Sequence, residues 1–454
     1  MLNRRAFNLG LTSLAFAGLS ACAATQRSTS IAAPGHGPLL PDPAGLLDLP
    51  RGFAYRIISS HGDRMDDGYV VPDRADGMGA FALDRDRTIL IRNHELRPSN
   101  TSTGPFGATP PDGVPAFDRN AAGPLPGGTT RLIYNHRSGR VEAQHLSLTG
   151  TIRNCAGGVT PWGSWLTCEE DVSRAGADGQ GRDHGWVFEV PARGRGLAEP
   201  VPLTGLGRFY HEAATVDPQT GVVYLTEDRE NGLFYRFLPN VRGQLHRGGR
   251  LQALALAGDA AGQDTRNWDS VTFPARSWRP VRWIDLDHVD SPDGDDLRVR
   301  GHARGAALIA RGEGIWCGDG ELYFACTSGG AARLGQIMRY RPSRFEGQSG
   351  EAREPGQLQN FVESTGPEML NYGDNVTIAP NGHLIVCEDQ YTTPSRNHLR
   401  GITPDGQVYP VALLHVQTEL AGACFSPDGT TLFLNVYSPA KTLAITGPWQ
   451  APAT

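Results

Sequence analysis

The chain carries, between residues 154 and 171, the run Asn154-Cys155-Ala156-Gly157-Gly158-Val159-Thr160-Pro161-Trp162-Gly163-Ser164-Trp165-Leu166-Thr167-Cys168-Glu169-Glu170-Asp171. A cysteine in a small-residue turn precedes a tight Pro-Trp-Gly corner, and a short apolar strand then ends on three acidic residues. A thiolate with clustered carboxylates is a ligand set for two kinds of metal, since sulfur suits a transition metal and oxygen suits calcium. Taken alone, the run fits a simpler interpretation, a buried free cysteine beside a solvated acidic loop.

One part of this pattern, a turn followed by a strand that ends on a carboxylate, recurs in the rest of the chain. A turn rich in Asp, Gly, Asn or Pro leads into a strand of apolar or β-branched residues, and a carboxylate often closes the strand. These turn-and-strand units lie at residues 84–95, 161–170, 217–228, 318–327, 380–389 and 426–436. No long segment shows a sustained helical period, so the sequence predicts an all-β fold. We expect a β-propeller of six four-stranded blades with loop insertions, and a sandwich or a set of small β domains is the alternative.

The widest gap between these units, from about residue 230 to residue 315, predicts an elaborated region. Its acidic residues do not follow the spacing of an EF-hand calcium loop, so a solvated loop is favoured over a calcium site. These residues are Asp285, Asp287, Asp290, Asp293, Asp295 and Asp296.

Length and composition agree with one large β domain. The chain has 454 residues, of which 57 are Gly and 33 are Pro, and such a composition is typical of many short strands joined by turns. The net charge is −6 and no run of Lys and Arg occurs, which argues against nucleic-acid binding. An anionic substrate would therefore need local positive charge or bound cations.

The N-terminus has the features of an export signal. A twin arginine, Arg4-Arg5, precedes an apolar run, as in Tat signals, and Leu19-Ser20-Ala21-Cys22 resembles a lipobox in which Cys22 would be acylated. We therefore predict a signal over residues 1–22, a linker over 23–45 and a single propeller domain with an axial metal site over 46–454. The expected location is the periplasm or a membrane, with Cys22 as a lipid anchor.

The cysteines give no sign of a disulfide framework. None of the seven stands in Cys-x-x-Cys spacing, which argues against a zinc ribbon and a thioredoxin-like redox site. Most lie in apolar, strand-like surroundings and are expected to be small core residues. They are Cys22, Cys155, Cys168, Cys317, Cys326, Cys387 and Cys424.

A propeller would bring its separated carboxylates together, because corresponding strands of every blade line one central channel. Converging carboxylates repel one another unless cations neutralise them. Arg311 and Glu313 would point to the same side of an extended segment, where a carboxylate could hold a metal and a guanidinium could grip a phosphate. A surface salt bridge is the other interpretation of this pair. Neither His94-Glu95 nor His211-Glu212 has the second histidine that a helix-borne zinc site requires.

Several motifs occur in an order that resembles the PhoX-type alkaline phosphatases of bacteria, from about residue 50 to the C-terminus. They are Arg92-Asn93-His94-Glu95, the Asn154–Gly158 and Thr160–Gly163 runs with Thr167-Cys168-Glu169-Glu170, Arg208–Ala214, Arg311-Gly312-Glu313 and Asp374-Asn375. This chain is shorter than well-developed members and has Thr327-Ser328-Gly329-Gly330 where they keep an acidic strand end, so it resembles a shorter branch of the family.

The resemblance implies an axial centre of two ferric ions and three calcium ions that hydrolyses phosphate monoesters. By motif matching, Cys155, Glu212 and Glu313 would bind iron. Calcium would be bound by Glu169, Glu170 and Asp374, with Glu95 and Glu388 as further candidates. Arg311 would grip the phosphate and Asn154 would assist. The implied partner is a small-molecule phosphoester, and nothing in the sequence demands more than a monomer.

Two other functions compete with this one. A calcium-dependent propeller hydrolase of the lactonase or gluconolactonase kind would need carboxylates and Asn around one calcium, and would leave Cys155 without a role. A lipid-anchored propeller that binds a partner or a sugar would use calcium only for structure. Iron content separates the first function from both of these.

Overall fold

Short strands joined by glycine- and proline-bearing turns make up nearly all of the described structure. This computed structural model describes residues 34–107, 113–258, 263–390, 392–394 and 396–450. The strands, in chain order, are β1 (Leu39–Leu40), β2 (Leu47–Pro50), β3 (Ala54–Ser60), β4 (Ala75–Ala82), β5 (Arg87–His94), β6 (Arg119–Asn120), β7 (Gly123–Pro124), β8 (Gly127–Asn135), β9 (Arg140–Thr151), β10 (Asn154–Val159), β11 (Ser164–Glu169), β12 (Val187–Pro191), β13 (His211–Val216), β14 (Val223–Glu227), β15 (Phe234–Pro239), β16 (Gly249–Leu256), β17 (Trp278–Asp285), β18 (Gly312–Gly318), β19 (Glu321–Cys326), β20 (Gln336–Arg341), β21 (Gln357–Glu363), β22 (Gly373–Ile378), β23 (Leu384–Glu388), β24 (His398–Ile402), β25 (Val408–Leu414), β26 (Leu420–Phe425), β27 (Thr431–Val436) and β28 (Lys441–Thr446).

Helical structure is scarce in the described part of the chain. One α-helix, α1 (Leu297–Ala303), lies in the long connection before β18, and four single 3-10 turns occur at Thr101–Thr103, Ala177–Gly179, Thr204–Leu206 and Leu245–Arg247. None of the helices among the described residues has the length and apolar character needed to cross a membrane.

Six strands form the inner wall of the fold: β4, β10, β13, β18, β22 and β26. Each contacts the next one in this order, and β26 contacts β4, so the ring closes. From each inner strand the chain runs outward through further antiparallel strands. The prediction of an all-β propeller is therefore confirmed.

The blades are less regular than the predicted six four-stranded units. The sheet β10-β11-β12 has three strands, whereas β17 joins two neighbouring units into one nine-stranded sheet, β13-β14-β15-β16-β17-β21-β20-β19-β18. A ring of six inner strands is what six blades require. The hydrogen-bonded sheets do not divide into six equal units, however, and the blade number stays a prediction.

Both ends of the described chain build the last blades. Strand β3 pairs with β28, and the register sets Ile57 opposite Leu443 and Tyr55 opposite Ile445. Strands β1 and β2 extend the sheet of β25, in which Leu47 stands opposite Leu414. The described end of the predicted linker, residues 34–45, thus includes a paired strand. The predicted signal and Cys22 lie outside the described residues.

Apolar side chains fill the spaces between neighbouring sheets. One such core joins Ile89 and Ile91 of β5 to Trp165 of β11 and Phe188 of β12, across two successive blades. Four of the six described cysteines, Cys168, Cys326, Cys387 and Cys424, are buried with free thiols. Strands such as β11, β13 and β27 are buried along their whole length, because each blade is covered on both faces by its neighbours.

The chain between β16 and β18 is elaborated, as the spacing predicts. It contributes β17 and α1, and four of the six acidic residues between Asp285 and Asp296 form ion pairs with arginines. The pairs are Asp285 with Arg250, Asp287 with Arg300 and Arg304, Asp295 with Arg229 and Arg298, and Asp296 with Arg300. Carboxylates neutralised by guanidinium groups do not need calcium, so the structure favours the solvated loop.

Candidate metal centre

Each of the six inner strands is interrupted at the same place by a β-bulge. Between the paired positions on either side of the bulge, two residues of the inner strand stand opposite one residue of the neighbouring strand, so one residue is extra. The register shifts fall between Ala75 and Met78, Asn154 and Gly157, His211 and Ala214, Gly312 and Ile315, Gly373 and Val376, and Ala421 and Cys424. The first residues inside these bulges are Asp76, Cys155, Glu212, Glu313, Asp374 and Gly422. Five of the six inner strands thus carry a carboxylate or a thiol at one level of the ring.

Small residues follow these side chains because the inner strands approach one another closely there. A Cβ on Gly77 would lie 2.5 Å from the Cα of Ala156, and a Cβ on Gly314 would lie 2.5 Å from the Cα of Asn375. Further along the inner strands, a cavity of about 20 Å³ lies between them. This is roughly the space of one water molecule.

The bulge residues meet in two overlapping groups. Ligand atoms of Cys155, Glu170 and Glu212 all lie within 4.8 Å of one another, and so do those of Glu212, Glu313 and Asp374. Glu212 belongs to both groups and therefore connects them. The thiol of Cys155 is also 3.6 Å from Oδ2 of Asp76, which extends the cluster to the first inner strand.

The cluster lacks the hydrogen bonds that buried carboxylates need. Both carboxylate oxygens of Glu212 and Oδ1 of Asp76 are buried without a partner among the described residues. A buried charge costs free energy unless it is paired, hydrogen-bonded or bound to a metal. Buried oxygens without hydrogen-bond partners, close to one thiol and three further acids, therefore fit a site for several cations.

The pKa values of the cluster are shifted in the direction that burial and mutual repulsion require. Burial, with the charges of Glu313 and Asp374, raises the pKa of Glu212 well above its ordinary value. Burial, with Asp76 and Glu212 nearby, likewise raises the pKa of the Cys155 thiol. Burial and Asp389 raise the pKa of Asp374 to about 8. Without cations the cluster must hold protons, and bound cations would release them.

Two arginines hold the rim of the cluster. Arg153 donates from Nε to Glu95 at 2.7 Å and from Nη2 to Glu170. Arg311 forms a two-pronged pair with Asp228, at 2.7 and 2.9 Å, and donates to Glu313 at 3.0 Å. Arg153 thus links two acids that follow second strands, whereas Arg311 links one such acid to Glu313 of an inner strand.

The residues that precede the inner strands have an unusual backbone. Arg74, Arg153, Arg311 and Tyr372 have φ values of 52°, 44°, 52° and 55°, and each stands two positions before a bulge residue. This left-handed conformation costs about 1 kcal/mol or more for a residue with a side chain, and is common at functional sites. Four residues at equivalent positions before the bulges thus keep a strained backbone, which the surrounding structure must stabilise.

Not every predicted site residue reaches the cluster. Glu169 is fully buried and accepts from the backbone N–H groups of Ile152, Gly185 and Trp186 and from His184 at 2.7 Å. Its oxygens are engaged by the protein, and its assignment as a calcium ligand stays a prediction without geometric support.

The same holds for Glu388 and Asn154. Glu388 accepts from two backbone N–H groups, from the His398 ring at 3.1 Å and from Arg400 at 2.8 Å. The buried amide of Asn154 accepts from Thr151 at 2.6 Å and donates to Thr167 at 2.9 Å, which pins the hairpin that carries Cys155.

The sequence analysis missed Asp76, Arg153 and Asp228. A signal for Asp76 exists, because Asp76-Gly77 stands before the first hairpin as Glu313-Gly314 stands before the fourth. Asp228 follows a second strand, as Glu170 does. In the fourth unit the corresponding position is Thr327, which is buried and not acidic, so the ring of strand-end acids has a gap there.

Comparison with known proteins agrees with this geometry. Residues 34–440 match the family described as alkaline phosphatase PhoX. PhoX of Pseudomonas fluorescens, solved with the transition-state analogue vanadate, has a similar fold: the TM-score is 0.67 at 20% identity, over 91% of this chain and 98% of that chain. A gluconolactonase of Xanthomonas campestris aligns at a TM-score of 0.41 and 14% identity, over 91% of this chain and 98% of that chain. A search of curated proteins found no match.

Fold, site and family match together define a propeller hydrolase that acts on phosphomonoesters, with a small-molecule phosphoester as substrate. The chain belongs to the PhoX alkaline phosphatase family, which is metal-dependent.

Proposed function

We propose that the axial cluster is a mixed iron and calcium centre and that phosphomonoester hydrolysis takes place at its mouth. The observation that carries this proposal is Glu212, whose two buried oxygens have no hydrogen-bond partner among the described residues and lie near one thiol and three further acids. Only cations or protons can stabilise such an arrangement, and a phosphatase needs positive charge where a phosphate dianion binds.

The donor types divide the cluster into two kinds of site. Cys155 with Glu212 offers sulfur and oxygen, which suit iron, whereas Glu170, Glu313 and Asp374 offer only oxygen, which suits calcium. Glu313 also fits the iron role that its motif implies. The predicted complement of two ferric and three calcium ions is compatible with this donor set. When bound, the cations would neutralise the phosphate charge and activate water for attack on phosphorus.

The protein's own groups position the substrate. Arg311 is held at the rim by Asp228 and Glu313, so its cationic plane is fixed before a phosphate arrives, and little rotamer freedom remains to be lost on binding. Arg153 keeps Glu95 and Glu170 apart at the other side of the mouth.

Elemental analysis of the mature protein, together with hydrolysis of p-nitrophenyl phosphate at alkaline pH, tests the proposal. We expect iron near two and calcium near three per chain, and we expect Cys155→Ala to lose iron and activity together. The matched control is Cys168→Ala, which removes a buried thiol outside the cluster and should keep both. Full activity in Cys155→Ala, or calcium without iron in the active protein, would reject the site.

We also propose that the protein is exported by the Tat route and anchored through Cys22. The twin arginine and the lipobox support this proposal. Replacing Arg4 and Arg5 by lysine should keep the protein in the cytoplasm, and Cys22→Ser should release it from the membrane fraction. A mature N-terminus other than an acylated Cys22 in mass spectrometry would reject the anchor.

A further inference from the structure

A second cavity lies away from the axial site, on the flank between two neighbouring blades. It has a volume of about 710 Å³. One wall is the face of the sheet β5-β8-β9 that carries Ile89, Arg131, Ile133 and His145, and the opposite wall is the segment 192–197 after β12. None of the residues of the axial cluster lines it, so any ligand here would be independent of the phosphatase centre.

Arg131 is the unusual residue of this cavity. It lies in the middle of β8, opposite Ile91 of β5, and only 4% of its surface is exposed. Its Nε donates to the carbonyl of Ala192 at 3.0 Å and its Nη2 to the carbonyl of Pro191 at 3.1 Å. A guanidinium in such a place is normally paired with a carboxylate. Arg131 forms no ion pair with any described residue, and its burial lowers its pKa.

The two backbone contacts fix the guanidinium and leave one of its nitrogens for something else. Nη1 makes no hydrogen bond within the described part of the chain, and it is not sealed from solvent. The fork therefore presents a donor edge that a carboxylate or a similar anion can accept.

The charges around the cavity have the same sign as Arg131. The other lining residues that carry or can carry positive charge are Arg193, Arg195 and His145. The single acid among the lining residues is Asp67, whose oxygens accept from the backbone N–H groups of Tyr69 and Leu146. The field in the cavity therefore attracts anions.

The remaining lining is apolar. Leu83, Ile89, Ile133, Leu146 and Leu197 contribute aliphatic side chains, and Tyr69 contributes a ring. An apolar cavity with a few convergent polar groups is the usual form of a small-molecule site. A simple inorganic anion would leave this apolar surface in contact with water, whereas a ligand with a hydrocarbon body would cover it.

We propose that this flank cavity binds an organic anion with an apolar body, such as a medium-chain carboxylate, whose charged group meets Nη1 of Arg131 and whose hydrocarbon part lies along Ile89, Ile133 and Leu146. The segment 192–197, which carries Arg193 and Arg195, forms the opposite wall.

Calorimetric titration of the whole protein with octanoate tests the proposal. We expect a 1:1 complex with a Kd below about 1 mM. Arg131→Met keeps most of the volume of the side chain and removes its charge, so it should weaken octanoate binding at least tenfold. Octan-1-ol has the same apolar body without the charge, and its affinity should change less than twofold in that variant. The matched control Arg137→Met removes an exposed arginine from the turn between β8 and β9, outside the cavity, and should leave the octanoate Kd unchanged.

A second variant distinguishes a ligand-binding role of Arg131 from a purely structural role in joining two blades. Ile133→Trp leaves Arg131 in place and puts a bulky ring where the hydrocarbon part of the ligand is proposed to lie, so it should weaken octanoate binding at least tenfold while phosphatase activity and the melting temperature stay near wild type. If Arg131→Met fails to fold, the Ile133→Trp variant still tests whether the cavity binds octanoate. Absence of binding to the wild-type protein at 10 mM octanoate, equal Kd values for wild type and Arg131→Met, or unchanged binding in Ile133→Trp would each overturn the proposal.

Discussion

Replacing Glu212 by glutamine should make the metal-free protein more stable, although it removes a residue of the active site. In the cluster, oxygens of Glu313 and Asp374 lie within 4.8 Å of an oxygen of Glu212. Two ionised carboxylates at this distance repel each other by about 3.5 kcal/mol at an effective dielectric constant of about 20, so two neighbours cost about 7 kcal/mol.

The protein can avoid this repulsion by keeping a proton on Glu212. The unfolded-state pKa of the residue is 4.5 and burial raises the folded-state pKa well above it. Holding the proton at pH 8 costs about 1.36 × 3.5, or about 4.8 kcal/mol. This cost is smaller than the repulsion, so the folded protein keeps Glu212 protonated, and the cost of the proton is what lowers its stability. A raised carboxyl pKa means that stability is lost as pH rises above 4.5, and glutamine removes that loss because it needs no proton.

We therefore expect Glu212→Gln to stabilise the chelated protein by up to about 5 kcal/mol at pH 8 and by less than about 1 kcal/mol at pH 5. For a chain of this length the gain at pH 8 corresponds to a rise of roughly 5–10 °C in melting temperature. Differential scanning fluorimetry after removal of metals by chelation measures it. Elemental analysis should show that the same variant binds less metal.

The matched control makes the same chemical change at Glu388, which accepts hydrogen bonds from Arg400 and from backbone N–H groups. Glu388→Gln should destabilise the protein at both pH values, because it leaves these donors poorly paired. If Glu212→Gln destabilised the chelated protein as Glu388→Gln does, or if its effect did not depend on pH, the view of the cluster as a set of repelling acids would be refuted.

Three further results are expected. Gly314→Ala should cost about 2–4 kcal/mol of stability, since its Cβ would lie 2.5 Å from a backbone atom, whereas Gly366→Ala, with nothing within 4 Å, should be neutral in thermal unfolding. Asp228→Asn should lower kcat/KM about 10- to 100-fold without loss of metal, because Arg311 loses the two-pronged pair that orients it, and a fall in metal content would instead mark Asp228 as a ligand. His184, between Glu169 and Asp118, has its pKa raised to about 9 although burial opposes this, so its contribution of about 3 kcal/mol is present below pH 6.5 and is lost as pH rises through 9. The unfolding free energy of His184→Gln should lack this loss, and parallel pH profiles for both proteins would contradict it.

The sequence was informative where local chemistry decides structure. Turn residues such as Asn381-Gly382 favour a hairpin through their local backbone conformation, independently of distant contacts. The strand predicted before Asp389 was accordingly found at Leu384–Glu388. The order of inner strands around the ring could not be derived in this way, because it depends on contacts between residues far apart in the chain.

The choice between adjacent acids was beyond sequence reasoning from the residues themselves. Glu169 and Glu170 are neighbours on one strand end, and successive side chains point to opposite sides, so only one of them can face the axis. The observed register gives that position to Glu170 and gives Glu169 to the loop of His184. Asp76 was missed for a related reason, since a bulge breaks the simple alternation from which a side chain's direction is inferred.

The pairing of β3 with β28 sets the order in which the molecule can be completed. Strand β3 comes early in the described chain, whereas its partner at Lys441–Thr446 follows every other described strand. Until β26 has been synthesised, the first inner strand lacks one of its neighbours, and no closed ring surrounds Asp76. The ring around the axial site therefore forms only when all six inner strands are available, and we expect metal binding to follow that step.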